Sequence, residues 1–182
     1  MGLFDVFKKK KEPSYDPSKV SVMDIDMGFV FDYNLKSWVV KEVYEYDWGN
    51  NNFTKEVLAD AGDEKIYLHI DQDGELELTV SKPVKIRKID EDLMEKISAD
   101  ERPPKKLEYL GVKYFFDEES AGYFHNKSKE GDDWEEFITY DYCNDDEDKV
   151  ISITQWDDKE FEASVGDIIK EFEISNIIPA SS

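Results

Sequence analysis

The chain of 182 residues has one cysteine, Cys143, so an intrachain disulfide and a cysteine zinc cluster are both impossible. It has no apolar run long enough for a transmembrane helix. Cations are scarce: 23 lysines and arginines face 44 aspartates and glutamates, a net charge of -21. That balance argues against nucleic acid as a partner, because phosphate contacts need clustered Lys and Arg. Strong negative charge supplies solubility without any partner, and a cationic partner is the other reading. Enzyme signatures are also missing. There is no Gly-x-Ser-x-Gly elbow, His-Glu-x-x-His pair, phosphate-binding glycine loop or dinucleotide fingerprint. The expectation is a protein that is not an enzyme, with no catalytic residue, no cofactor and no metal.

What is present is an internal repeat. Phe53-Thr54-Lys55-Glu56-Val57-Leu58 and the alternating stretch Ile66 to Glu77 have counterparts in Trp134-Glu135-Glu136-Phe137-Ile138-Thr139 and Val150 to Glu162. Each copy reads as strands separated by acidic turns, with β-branched and aromatic residues at period two. A repeat this long is a duplicated meander rather than a solenoid unit. The expected fold is all-β: two related antiparallel β-meander units forming a sandwich or barrel-like sheets, with one short linking helix. The chain divides into a basic amphipathic segment and linker (1–21), a first β unit (22–89), a linking helix and proline loop (90–105) and a second β unit (106–182). Leu68, Ile70, Leu76, Ile151, Ile153 and Phe161 are expected in the core. Asp73-Gly74 predicts a type I′ hairpin, with Asp157-Asp158 in the corresponding place. Gly122, Gly131 and Asn144 to Asp148 read as turns. In the linking helix Asp90 caps, Ile89, Leu93, Met94 and Ile97 share a face, and Pro103-Pro104 stops it. It is expected to plug an open end or to bridge the halves.

Two stretches invite chemistry. Aromatics interleave with acids in Tyr44-Glu45-Tyr46-Asp47-Trp48 and in Trp134-Glu135-Glu136-Phe137. Carboxylates beside aromatic faces recognise amines by ion pairing and cation–π attraction, so Tyr44, Tyr46, Trp48, Trp134, Glu135 and Glu136 form a candidate cation site. One buried strand face produces the same alternation, and that core reading stays open beside it. In the first eleven residues, Leu3, Phe4 and Phe7 share a helical face followed by Lys8, Lys9, Lys10 and Lys11. They are candidate membrane contacts, set against a frayed, solubilising start. Those lysines follow the apolar residues, the reverse of a secretory signal. The acids Asp71, Asp73, Glu75 and Glu77 miss the EF-hand pattern, since Gly74 falls at its fourth place. His69 alternates with Leu68 and Ile70 and reads as a surface histidine. His125 reads as a turn residue without a partner, and Cys143, flanked by acids, as an unreactive thiol.

Beyond these readings, the chain resembles a bacterial family known only as domain of unknown function 4178. The likeness is carried by Phe29-Val30-Phe31-Asp32-Tyr33, Trp38 to Gly49, Arg102-Pro103-Pro104-Lys105-Lys106, Ile153-Thr154-Gln155-Trp156 and Phe161 to Gly166, and runs from about Val22 to Pro179. The resemblance implies a bacterial, mostly β protein and brings no activity or catalytic residue with it. It also implies, through neighbouring genes for polyamine metabolism and for small membrane proteins of envelope stress, a membrane-proximal accessory role. The combined expectation is a non-catalytic binding or scaffold module near the cytoplasmic membrane surface, cytoplasmic or peripheral at its inner face. The alternative is an acidic-aromatic site for a polyamine or another small cation, in the role of an enzyme accessory. A protein partner fits the first reading and a small cationic ligand the second.

Overall fold

The computed structural model describes residues 19–100, 103–157 and 159–181. The predicted membrane contacts Leu3, Phe4, Phe7 and Lys8 to Lys11 lie outside them, as does Asp158. The first meander comprises β1 (Val30–Tyr33), β2 (Lys36–Asp47), β3 (Phe53–Asp60), β4 (Lys65–Asp71) and β5 (Glu77–Val84). A 3-10 turn at Ile86–Lys88 and helix α1 (Leu93–Asp100) follow. The second comprises β6 (Lys106–Tyr109), β7 (Val112–Asn126), β8 (Glu135–Asn144), β9 (Lys149–Asp157) and β10 (Glu160–Ile169), and β11 (Ser175–Ile178) ends the series.

Within each meander consecutive strands pair, and two antiparallel seams join the meanders, β5 to β10 and β2 to β7. The eight strands β2, β3, β4, β5, β10, β9, β8 and β7 therefore close into one ring. The protein is all-β with a short helix, and of the expected forms it takes a single shared barrel rather than a sandwich or two barrels.

Local chemistry repeats between the halves. The β1–β2 turn at Asn34 and Leu35 and the β6–β7 turn at Leu110 and Gly111 have positive φ at both central residues, the type I′ condition whose twist suits a tight hairpin. Both long strands then carry a bulge, at Lys41 in β2 and at Asp117 in β7. Matching the halves by turn and bulge sets Leu58 against Asp141, two residues from the Leu58–Thr139 match in the sequence motif. A slip of two preserves every inward and outward position, so alternation alone does not detect it.

The bulges also hand the strand from one face to the other. Trp38 and Val40 precede the first bulge and join an apolar core, whereas Tyr44 and Tyr46, of the same parity, follow it and point the opposite way. Two separate cores lie outside the ring. One joins Val57, Ile66, Leu68, Ile70 and Leu78 of the wall to Phe29 and Phe31 and is covered by Val22, Ile25 and Ile174. Lys55 fastens that cover, its Nζ donating to the carbonyls of Met23 at 2.6 Å and Ile25 at 2.8 Å. The other joins Tyr140, Tyr142, Ile151 and Ile153 to Ile86, Ile89, Leu93, Ile97 and Leu107. Helix α1 thus roofs the second core, instead of plugging an end or bridging the halves; only its apolar stripe is buried. Leu76 and Phe161 are half-buried at the edges of these cores, while the other four residues expected in the core are buried.

Three local expectations are corrected. Asp71 pairs with Glu77, leaving a five-residue connection in which Gly74 but not Asp73 has positive φ, so Asp73-Gly74 is not a type I′ turn. Gly122 lies inside β7 and Gly166 inside β10, each at a seam between meanders. A Cβ on Gly122 would stand 2.7 Å from the Asp47 carbonyl oxygen, and one on Gly166 2.7 Å from that of Val80. Absence of a side chain is what lets the seams close. His125 also belongs to β7 rather than to a turn.

Candidate functional site

Paired residues share a face, so the registers place Tyr44, Tyr46, Thr54, Glu56, Tyr67, His69, Phe124, Phe137, Asp141, Ser152 and Glu162 on the face opposite both cores. Rings from both meanders and from strands that are not neighbours meet here. Tyr46 of β2 lies 5.5 Å from Phe137 of β8 and 5.6 Å from His69 of β4, and Phe124 of β7 lies 5.2 Å from Trp156 of β9. Such convergence identifies this face as the lumen, since side chains on the outside of a closed ring diverge.

Tyr46 is the hub. Its hydroxyl donates to Glu56 Oε1 at 2.9 Å, and its ring stacks on Trp48 at 5.8 Å. The second oxygen of Glu56 lies 3.6 Å from Nδ1 of His69, a distance that becomes an ion pair when the imidazole is protonated. Trp48 Nε1 donates to Thr54 Oγ1 at 2.9 Å, and Trp156 Nε1 donates to Glu162 Oε2 at 3.1 Å. Burial, reinforced by Glu56, pushes the Tyr46 phenol well above its ordinary pKa, so it remains a neutral donor. The lumen therefore offers π faces and carboxylates, with Glu42 and Glu118 on the same face near the bulges.

Asp141 accepts hydrogen bonds from Ser152 Oγ and, at 3.2 Å, from Thr139 Oγ1. Burial is the larger influence and raises its pKa, against the two hydroxyls that favour the carboxylate. Because the folded state holds this proton more tightly, the stability it contributes is present below the unfolded carboxylate value of about 3.9 and is lost as pH rises through the raised folded value. Asp141→Asn is expected to remove that loss. Relative to the natural chain, the variant should gain urea resistance between pH of about 4.5 and about 7.5. Midpoints that move in parallel at the two pH values would show that Asp141 carries no such linkage.

The six predicted cation-site residues separate into two groups. Tyr44, Tyr46 and Trp48 line the lumen. Trp134 instead stacks on His125 at 5.1 Å in the β7–β8 connection, and the exposed Glu136 accepts from the Tyr123 hydroxyl at 3.1 Å on the outer face; Glu135, paired with Phe124, shares the luminal face but is exposed at the start of β8. The residues that join Tyr46 and Trp48 come from outside their own alternating run: Glu56, His69, Phe124, Phe137, Trp156 and Glu162. His69 does lie opposite Leu68 and Ile70, but that face is luminal. A closed ring turns the face expected to be wet inward.

Cys143 is half-buried, and burial aided by Asp117 and Asp141 pushes its thiol pKa up to about 11, leaving it unreactive near neutrality. Among the described residues no group of three or more His, Cys, Asp or Glu is placed to hold a metal ion, and no helix is long and apolar enough to cross a membrane. Two clefts, of about 530 and 680 Å³, lie outside the ring beside β11 and the β1–β2 turn. No curated protein and no solved structure matches the chain. A family model does match residues 26–171, inside the span of resemblance read from the sequence, and by that match the chain belongs to the family described as domain of unknown function DUF4178.

Proposed function

We propose that this chain is a non-catalytic binding module whose ring lumen holds a small organic cation, a polyamine or another amine, between aromatic faces and carboxylates. The observation that carries the reading is the Tyr46–Glu56–His69 group, with Trp48 and Phe124 against Tyr46 and Trp156 against Phe124. An ammonium placed there gains a carboxylate and one or more π faces in a partly desolvated setting, where each cation–π contact is worth about 0.5–2 kcal/mol. Placement at the cytoplasmic face of a membrane, with a scaffold role, is a separate proposal. It is supported by the pattern of Leu3, Phe4, Phe7 and Lys8 to Lys11 in the sequence.

Because any polycation is drawn to a chain of charge -21, the test needs a charge-matched control. Spermidine titrated by calorimetry is expected to saturate one site and to weaken as salt is added. Glu56→Gln keeps an acceptor for the Tyr46 hydroxyl but removes the charge, and should weaken binding about tenfold, the loss of one charge-assisted contact. Glu91→Gln, at an exposed position before α1, removes the same charge and should leave affinity unchanged. Equal loss in both variants would reduce the effect to diffuse attraction and contradict the luminal site.

A further inference from the structure

The two equivalent type I′ turns share an anomaly. Each places a leucine at positive φ with its side chain in solvent: Leu35 is 104% exposed and Leu110 85% exposed. Such positions favour Asn, Asp or Gly, and a bulky apolar residue there is strained in the backbone and unburied in the side chain. A local rule broken without compensation inside the fold points to use outside it.

The surroundings of the two tips differ. Leu35 lies in a cleft with Asp32 and Glu173, and the neighbouring Lys36 is bound by Asp63 and Glu64 at 2.6 Å each. Leu110 stands at the end of a basic hairpin. Register places Lys106, Lys113 and Phe115 on its outward face, with Glu108 opposite Lys113, and Lys105 leads into it. Phe115 is partly exposed, with Lys106 Nζ 5.7 Å from its ring centre. The 3-10 turn over the same core adds Lys85, Arg87 and Lys88. Among the described residues none of these six cations has a carboxylate within ion-pair distance; Lys36, Lys65, Lys82, Lys96, Lys127 and Lys149 do, while Lys41, Lys129, Lys159 and Lys170, scattered elsewhere, do not. Lys105, Lys106 and Lys113 thus form a local group of cations without ion pairs on the hairpin that carries the exposed apolar tip.

We propose that the β6–β7 hairpin is a docking surface for an anionic phospholipid bilayer, with Leu110 entering the headgroup boundary and Lys105, Lys106 and Lys113 meeting lipid phosphates. Cations beside a projecting apolar side chain are what an interfacial contact uses, the charge drawing the surface close and the apolar group holding it. A nucleic acid would use the cations but has no need of the leucine. Leu107, Tyr109, Val112 and Tyr114 hold the hairpin against the second core, so the Leu110 side chain alone stands out from the body, and salt screens the repulsion of acids more than about 8–10 Å from the surface it meets. This surface is independent of the luminal site.

Flotation of the full chain on vesicles with about three parts in ten phosphatidylserine tests the proposal, beside neutral phosphatidylcholine vesicles. The expected result is binding to the anionic vesicles alone. Leu110→Asn suits the turn better than leucine, so the variant folds, yet it should bind about tenfold more weakly. Leu35→Asn should bind as the natural chain does. Absence of binding, or binding unaffected by Leu110→Asn, would overturn the proposal. So would binding that disappears on replacing Lys8 to Lys11 in the full chain while ignoring Leu110, or tighter, Leu110-independent binding of a DNA duplex.

Discussion

Trp38→Ala is expected to destabilise the fold by about 3–5 kcal/mol, the range for removing a large aromatic ring from a packed core. The Trp38 ring is fully buried in the first outer core against strands of the ring wall, and its Nε1 donates to the Tyr33 carbonyl at 2.9 Å. Truncation empties the space between wall and cover and leaves that carbonyl without its donor. The loss is large relative to the total stability of a typical domain, so the denaturant midpoint should fall steeply with little change in slope. Trp156→Ala should cost much less, since the Trp156 ring lies in the lumen and is only half-buried. Equal losses would mean that the lumen is simply a third core.

Gly166→Val is the second large effect, expected at about 1–3 kcal/mol or more. The obstruction is backbone: an added Cβ meets the Val80 carbonyl oxygen at 2.7 Å and Ser81 Cβ at 2.9 Å. No rotamer relieves such a contact, so β10 must shift from β5 along the seam that holds the two meanders together. Because the seam is part of the ring, the disturbance should propagate to protection of amides in both strands, measurable by hydrogen exchange. Gly74→Ala provides the contrast. Gly74 has positive φ but no atom within 4 Å of its Cβ position, so only the smaller backbone strain applies.

Alternation and aromatic content made the all-β class, the two meanders and the linking helix legible. The ring was not, because its closure depends on long-range pairing of Tyr44 to Asp47 with Tyr123 to Asn126, which no local pattern encodes. The bulges at Lys41 and Asp117 hid a change of face within single strands, so Tyr44 and Tyr46 appeared as one side of an ordinary amphipathic strand. The candidate site was half visible for the same reason. Trp48 and Tyr46 stand in one alternating run, but Glu56, His69 and Trp156 join them from other strands. Trp134, next to Glu135 in an equally suggestive run, falls instead in a connection outside the luminal cluster.

The four tryptophans supply the most direct test, because each reports a different place. Trp38 lies in the first outer core, Trp134 against His125, and Trp48 and Trp156 in the lumen. In an indole N–H nuclear magnetic resonance titration with spermidine, the Trp48 and Trp156 signals should shift together and saturate, while those of Trp38 and Trp134 stay in place. Movement of the Trp134 signal alone, or unsaturating drift of all four, would contradict a cation site inside the ring.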